Sequence, residues 1–229
     1  MTDFNKLVVF DCDGTLVDSQ HMIIDAMHAT YDKLSLPQEA DMKVRSIVGL
    51  SLVEAMAMLR PEAERAFHEE MAEVYKREFY RLRVEEAAKP DPLYPGTREV
   101  LEALSNDGFL LGVATGNSQR GLARVIKEHD LDDVFVTLQT ADGHPSKPHP
   151  SMIQTAMAEA GADASTTLMV GDTSYDMMMA RSAGVCAVGV NWGYHSEIEL
   201  KEGGAHHLLD SYEPLHGIAR NWGKDYDGT

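Results

Sequence analysis

One stretch constrains the fold of this chain more than any other, the sequence Leu-Val-Val-Phe-Asp-Cys-Asp-Gly-Thr-Leu-Val-Asp-Ser at residues 7–19. Its opening apolar run predicts a fully buried β-strand. Two carboxylates, Asp11 and Asp13, follow at once, and ligand sites in open α/β sheets lie just beyond the carboxyl ends of the strands. Because a strand has a period of two, both acids face the same side if the extended backbone continues. Gly14 then allows a sharp turn.

Two carboxylates so close together repel each other, so a cation should bind between them or one of them should keep its proton. A plainer interpretation is also open, in which the strand ends in an Asp-Gly turn and Thr15 and Ser19 cap the following helix. The acid pair alone favours this plainer interpretation. Further motifs are needed to decide between the two.

Composition limits the classes of function. The 229 residues suffice for one large domain or for a core with a smaller insert, and no apolar run is long enough to span a membrane. A formal net charge of -17 argues against a nucleic-acid partner, so any bound anion needs a local positive cluster or a metal. Two cysteines do not form a disulfide framework, and we therefore expect the protein to reside in the reducing cytoplasm.

Residues 18–91 contain no convincing strand pattern and are predicted to be helical. Apolar residues recur at helical spacing in residues 22–34 and 67–82, and stripes of this kind are usually core. Ser51 and Glu54 have the spacing of a capping box, which predicts the start of another helix. Prolines at 90, 92 and 95 mark the end of this region.

Strand and helix patterns alternate after residue 92, which predicts a parallel sheet. The predicted strands are 110–114, 134–138, 167–170, 185–190 and an edge strand at 205–210, and the predicted helices are 98–106, 119–128, 151–160, 175–183 and 213–221. The first strand belongs with the later ones. We therefore predict an α/β fold with a discontinuous Rossmann-like core, residues 1–17 and 92–229, and an inserted α-helical cap, residues 18–91.

Polar residues follow two more predicted strands. Thr115, Gly116 and Asn117 place a hydroxyl and backbone amides before a helix N-terminus, an arrangement that favours phosphate. An ordinary N-cap by Asn117 or Ser118 explains the same residues and is favoured when they are considered alone. Asp172 follows the strand at 167–170.

Two residues of the second half have less specific patterns. Asp176 has the capping-box spacing from Thr173, so it also has a purely structural explanation. Lys147 lies in a loop between prolines, which would hold its ammonium group in place.

Together these motifs resemble the four motifs of the haloacid dehalogenase superfamily, in the family's order, with residues 11–19 filling every defining position of the first motif. The helical insert after that motif is similar to that of the phosphoglycolate phosphatase-like group. The resemblance implies a Mg²⁺-dependent phosphatase in which Asp11 attacks phosphorus and Asp13 acts as acid and then base. It further implies the remaining roles: Mg²⁺ held by Asp11, the Asp13 backbone carbonyl and Asp172 with support from Asp176, and phosphate bound by Thr115, Gly116, Asn117 and Lys147.

Several alternatives stay open. Relatives that act as phosphomutases carry a basic residue where Leu52 stands, and true dehalogenases lack the acid at Asp13. A pyrophosphatase, a phospho-accepting signalling module or a non-catalytic phosphate-binding module are further candidates. We expect a small phosphorylated metabolite as substrate, 2-phosphoglycolate first, with Arg45 and Arg120 as the cations nearest in sequence for its carboxylate. A monomer or a homodimer fits the sequence equally well.

Overall fold

The computed structural model of the protein describes residues 4–85 and 89–222. Its centre is a six-stranded sheet of order β3-β2-β1-β4-β5-β6, in which all neighbouring strands are parallel. The strands are β1 Asn5–Phe10, β2 Leu110–Thr115, β3 Thr137–Thr140, β4 Ala162–Gly171, β5 Cys186–Val190 and β6 His207–Leu209. The predicted α/β fold with a parallel sheet is confirmed.

Helices connect the strands and cover both faces of the sheet. They are α1 Gln20–Lys33, α2 Asp41–Arg45, α3 Leu52–Leu59, α4 Arg65–Tyr80, α5 Thr97–Asn106, α6 Gln119–Glu128, α7 Ser151–Ala160, α8 Ser174–Ala183, α9 Glu197–Glu202 and α10 Leu215–Asn221, and a π-helical turn, Arg81–Glu85, extends α4. Within the described ranges, none of these helices has both the length and the apolar character needed to cross a bilayer.

Strand β1 lies at the centre of the sheet because both of its faces are apolar. Val8 and Phe10 pack into the core on one face, Leu7 and Val9 pack into the core on the other, and all four are fully buried. Strands buried on both faces are typical of parallel sheets covered by helices on each side. The strand order reverses at β1, so the carboxyl ends of β1, β2 and β4 form the kind of crevice in which α/β proteins bind ligands.

The helices α1 to α4 pack on one another and form a core of their own, separate from the two cores of the sheet. The turn at residues 46–51 joins this helical segment to the carboxyl end of the sheet. The Ser51 amide donates a hydrogen bond to Ser146 Oγ at 2.8 Å, and the Tyr175 hydroxyl donates one to the Ser46 carbonyl at 3.0 Å. A cleft of about 780 Å³ lies between the helical segment and the strand ends.

One strand was predicted in the wrong place. The apolar residues Val134 and Phe135 pack against the core from a turn, and β3 begins only at Thr137. The buried side chains of β3 are polar. Their burial is tolerated because Thr137 and Gln139 both donate hydrogen bonds to the Glu159 carboxylate, at 2.5 and 2.8 Å. A search for apolar runs therefore misses this strand.

Smaller differences concern caps and boundaries. Helix α3 begins after Ser51 as predicted, but the Ser51 side chain makes no capping hydrogen bond, so the predicted capping box is wrong. Helix α9 was not predicted. The domain limits at residues 17/18 and 91/92 stay a prediction, and the predicted ranges include residues 1–3, 86–88 and 223–229, which lie outside the described residues.

Candidate active site

Asp11 follows β1 directly and is almost completely buried, with 1% of its surface exposed. Its backbone amide donates a 2.8 Å hydrogen bond to the Val170 carbonyl, which continues the ladder between β1 and β4. Gly14 has a φ of 84°, as expected for the residue at which the chain turns away after the two acids. Asp11 and Asp13 both line the cleft.

Lys147 is the buried cation of the site. Its Nζ lies 2.9 Å from Asp11 Oδ1 and 2.6 Å from Asp176 Oδ1, and its side chain is inaccessible to solvent. Burial alone would lower the pKa of Lys147, but the two carboxylates outweigh burial and raise it. The ammonium group therefore stays protonated and neutralises part of the buried negative charge.

Hydrogen bonds hold the Asp172 and Asp176 carboxylates next to that of Asp11. Asp172 accepts from the Thr15 hydroxyl at 2.8 Å and from the Tyr194 amide at 2.8 Å. Asp176 closes the capping box of α8 with Thr173, as its spacing predicted, and uses its other oxygen for Lys147. Thr15 thus binds an acid of the site instead of capping a helix.

The three carboxylates fit a divalent cation. Asp11, Asp172 and Asp176 each offer an oxygen within 4.8 Å of the others, and neither carboxylate oxygen of Asp11 has a well-aligned hydrogen bond. Burial, opposed by Lys147 and reinforced by Asp176, raises the pKa of Asp11 to about 7, and burial with the charges of Asp11 and Asp176 raises that of Asp172. A bound divalent cation would offset the burial and mutual repulsion that disfavour the ionised carboxylates, and carboxylate oxygens are hard donors of the kind that bind cations such as Mg²⁺.

Asp13 is oriented separately from this cluster. Ser19 Oγ donates to Asp13 Oδ1 at 2.7 Å, and Asn117 Nδ2 donates to Asp13 Oδ2 at 3.1 Å. Ser19 also lies 3.1 Å from the Tyr194 hydroxyl, so the Asp13 carboxylate is held at the end of a hydrogen-bonded chain. The sequence predicted a helix cap for Ser19 and a phosphate-binding backbone amide for Asn117. Neither prediction indicated these side-chain contacts with Asp13.

The last residue of β2 and the loop after it form part of the cleft wall. Thr115, Gly116 and Asn117 all line the cleft, and the Asn117 amide donates to Thr115 Oγ1 at 3.1 Å. A Cβ on Gly116 would lie 2.5 Å from the carbonyl oxygen of Gly49, so only glycine lets the helical segment approach this loop. Ser118 caps α6 through its hydroxyl, which confirms the N-cap explanation for that residue.

Comparison with known proteins decides the family. A family model described as haloacid dehalogenase-like hydrolase matches residues 8–190. The chain belongs to the haloacid dehalogenase-like hydrolases. Asp11, Asp13 and Thr115 all line the cleft, and Lys147 and Asp172 lie next to Asp11. The catalytic, phosphate-binding and metal-binding roles of these residues stay predictions.

Relatives of this haloacid dehalogenase-like hydrolase match it over nearly the whole length. It is 35% identical over 217 residues to the probable phosphatase IndB of Dickeya dadantii, with 93% of each chain covered. It is 28% identical over 220 residues to a phosphoglycolate phosphatase of Pasteurella multocida, covering 94% of this chain and 98% of that protein. A crystal structure of a predicted phosphatase from Clostridium acetobutylicum superposes with a TM-score of 0.83 at 25% identity, covering 96% of this chain and all of that one.

Four further residues that the sequence singled out have defined positions in the hydrolase. Cys12 is buried in the same core as Val8 and Phe10, and burial raises the pKa of its thiol. His144 bridges Gln139 and Ser151, which is a structural role. Of the two arginines predicted near the substrate, Arg120 lines the cleft, whereas Arg45 is not among the residues described around it.

Proposed function

We propose that this protein is a Mg²⁺-dependent phosphatase that hydrolyses a small phosphomonoester through an aspartyl-phosphate intermediate. The observation that carries the proposal is the state of Asp11. Its carboxylate is buried at a strand end, is paired with Lys147 and has no well-aligned hydrogen bond to either oxygen. A carboxylate that lines the cleft, lies beside a fixed cation and makes no well-aligned hydrogen bond keeps its oxygen lone pairs available to attack a bound phosphoryl group.

The reaction proceeds in two displacements at phosphorus. An Asp11 oxygen forms a bond to phosphorus while the bond to the alcohol oxygen breaks, and Asp13 gives its proton to the departing alcohol. Asp13 then takes a proton from water as that water attacks phosphorus and releases Asp11 and inorganic phosphate. The covalent intermediate on Asp11 divides one difficult step into two easier ones. The Asp13 carboxyl group serves as acid in the first step and as base in the second.

Charge neutralisation accompanies both steps. Thr115, Gly116 and Asn117 would bind the phosphoryl oxygens, and the fixed charge of Lys147 would offset the negative charge that accumulates beside Asp11. When bound by Asp11, the Asp13 carbonyl and Asp172, with Asp176 in support, Mg²⁺ would neutralise phosphoryl charge. This local positive charge explains how a protein with a net charge of -17 binds an anion.

The helical segment at residues 18–91 would act as a cap. Its turn at residues 46–51 already contacts the strand ends through Ser146 and Tyr175. A cap in this position excludes water from the phosphoryl group and limits the size of the leaving group.

The substrate class is tested with a panel of phosphomonoesters assayed with Mg²⁺ and with EDTA. Several relatives are named phosphoglycolate phosphatase, so 2-phosphoglycolate is the first candidate. We expect kcat/KM for it to exceed that for pyrophosphate by more than about tenfold, or about 1.4 kcal/mol of transition-state binding. Preference for pyrophosphate, or phosphate transfer to a second sugar hydroxyl, would replace this proposal with the pyrophosphatase or phosphomutase alternative. The location of the protein in the reducing cytoplasm and its monomeric or homodimeric state stay predictions.

Asp13 and Asp172 are expected to fail in different ways when each is changed to asparagine. Asp172→Asn should weaken Mg²⁺ binding by about tenfold or more, because a metal held by few carboxylates depends on each one. Asp13→Asn should keep the Mg²⁺ affinity, since only its backbone carbonyl is proposed to contact the metal, yet lose activity. Calorimetric Mg²⁺ titration separates the two. Equal affinities in both variants would remove Asp172 from the ligand set.

Asn117→Ala should lower kcat by roughly ten- to a hundredfold, the effect of losing a hydrogen bond of about 1.5–3 kcal/mol to a charged group. The reason is the 3.1 Å contact that orients the Asp13 carboxylate. The Mg²⁺ affinity should not change. Gln119→Ala, an exposed neighbour on α6, is the control and should keep kcat within a factor of about two. A kcat for Asn117→Ala within that same range would refute the positioning role.

A further inference from the structure

The cleft is lined by cations that the proposed mechanism does not use. Arg120 and Arg124 project from α6, and Arg65, Lys76 and Arg83 come from the helical segment. Five cations around one cleft are unexpected in a chain with a net charge of -17. Neighbouring carboxylates account for the positions of three of these five cations.

The three cations of the helical segment have carboxylate partners. Arg65 pairs with Glu54 and Glu69 at 3.3 and 3.2 Å, and Lys76 pairs with Glu73 at 2.6 Å. Arg83 is buried and forms an ion pair with Asp91. These side chains have structural roles that need no ligand.

Arg120 and Arg124 differ. No carboxylate of the described residues pairs with Arg120. Arg124 Nε forms an ion pair with Glu128 Oε1 of the same helix at 3.7 Å, but this distance is too long for a hydrogen bond, and the buried Nε has no hydrogen-bond acceptor. The two arginines are four residues apart on one helix, a spacing at which like charges destabilise the helix. Asp142 also lines the cleft, but its carboxylate accepts from the Gln119 amide.

Aromatic rings of α4 hold both guanidinium groups in place. The Arg120 Cζ lies 5.2 Å from the centre of the Tyr80 ring, and the Arg124 Cζ lies 5.4 Å from that of Phe79. Arg83 lies near the same Phe79 ring at 5.7 Å. A guanidinium group stacked on a ring loses less conformational entropy when it binds an anion, and its N–H edge stays free to donate.

We infer that Arg120 and Arg124 bind a second anionic group of the substrate, on the leaving-group side of the phosphorus. The inference rests on the proposed phosphatase function and narrows its substrate class. A cleft of about 780 Å³ is of the size that holds drug-sized ligands, so it accommodates a longer molecule than a two-carbon acid. The substrate is thus a phosphomonoester whose leaving group ends in a carboxylate or a second phosphate.

The position of the two arginines along α6 supports this class. Asn117, which contacts Asp13, precedes α6, and Gly121 leaves the helix surface between the arginines without a side chain. With a rise of about 1.5 Å per residue, Arg124 lies roughly 9 Å along the helix from Ser118. An anion at Arg120 suits a short leaving group, and one that also reaches Arg124 suits a longer leaving group.

The test compares pairs of substrates that differ in the distal anion. Kinetics with Mg²⁺ are measured for 3-phosphoglycerate against glycerol 3-phosphate, for 4-phosphoerythronate against erythritol 4-phosphate, and for fructose 1,6-bisphosphate against fructose 6-phosphate. The variants are Arg120→Gln and Arg124→Gln. Lys127→Gln is the matched control, because it removes the same charge from an exposed position of the same helix outside the cleft lining.

We expect the wild type to favour the anionic member of at least one pair by more than about tenfold in kcat/KM, a preference typical of charge-assisted hydrogen bonds. The arginine variants should lose about tenfold or more for that member and less than about threefold for its neutral partner, and Lys127→Gln should change neither. The pair that shows the preference distinguishes a carboxylate from a phosphate. Equal rates for all pairs, or equal losses on both members, would overturn the inference and leave the phosphatase function intact. A wild type that hydrolyses no phosphomonoester would overturn both.

Discussion

Replacing Asp11 with asparagine is expected to abolish turnover without unfolding the protein. The amide has nearly the shape of the carboxylate but is a poor nucleophile, and removal of a covalent nucleophile costs about four orders of magnitude in rate or more. The fold should tolerate the change, because neither carboxylate oxygen has a well-aligned hydrogen bond and Lys147 keeps its ion pair with Asp176. Phosphatase assays and denaturant unfolding of the same preparation measure the two effects.

The pH dependence of stability gives a second readout for this variant. The pKa of Asp11 is about 7 in the folded protein against an ordinary value of 3.8, so the folded state holds this proton more tightly than the unfolded state. Its contribution to stability is complete below about pH 4 and is lost as the pH rises towards 7. In EDTA, Asp11→Asn should therefore gain stability relative to the wild type between pH 5 and pH 8.

Asp25→Asn is the control for Asp11→Asn, because Asp25 is an exposed carboxylate of α1. It should keep full activity. An Asp11→Asn variant that retained activity within tenfold of the wild type would rule out Asp11 as the nucleophile.

Replacing Lys147 with methionine is expected to cause the largest loss of stability of any substitution considered. The side chain is completely buried between Asp11 and Asp176, at 2.9 and 2.6 Å. Methionine keeps much of the volume but leaves two buried carboxylates without their cation, and breaking a buried ion pair in this way costs about 3–5 kcal/mol. The free energy of unfolding is measured in EDTA. Activity should fall as well, since the phosphoryl group loses a neutralising charge.

Mg²⁺ provides an internal check on this result. If the three carboxylates bind the metal, Mg²⁺ should recover part of the stability that Lys147→Met loses, because it supplies the missing positive charge. Lys127→Met, at an exposed position of α6, should change stability by less than about 0.5 kcal/mol in either condition. A Lys147→Met variant as stable as Lys127→Met in EDTA would show that the buried ion pairs do not hold the site together.

Much of the fold was predictable because its signals are local. The first strand is apolar on both faces, and this pattern places it at the centre of a covered parallel sheet. The position of Asp11 and Asp172 just after strands then predicts that they meet at one edge. Strand β3 was misplaced because its buried residues, Thr137 and Gln139, are polar and bind Glu159 of α7, the next helix along the chain.

The parts of the site that escaped prediction depend on contacts between distant side chains. Nothing in the sequence near Asn117 indicates that its side chain reaches Asp13, more than a hundred residues earlier. The stacking of Arg120 and Arg124 on rings of α4 joins the core to the helical segment, and no local pattern encodes it. Motifs identify the residues of the chemistry, whereas the positioning and specificity contacts require the folded chain.

The central claim, covalent catalysis by Asp11, is tested most directly by trapping the intermediate. Asp13→Asn is mixed with p-nitrophenyl phosphate and Mg²⁺ and quenched in acid, because nitrophenolate departs without an acid while hydrolysis of the aspartyl phosphate still needs the Asp13 base. Peptide mass spectrometry should find one phosphoryl group on Asp11, formed with a burst of nitrophenolate of one equivalent or less. A variant that releases nitrophenolate steadily while Asp11 remains unmodified, or that carries the phosphoryl group on another residue, would contradict the account.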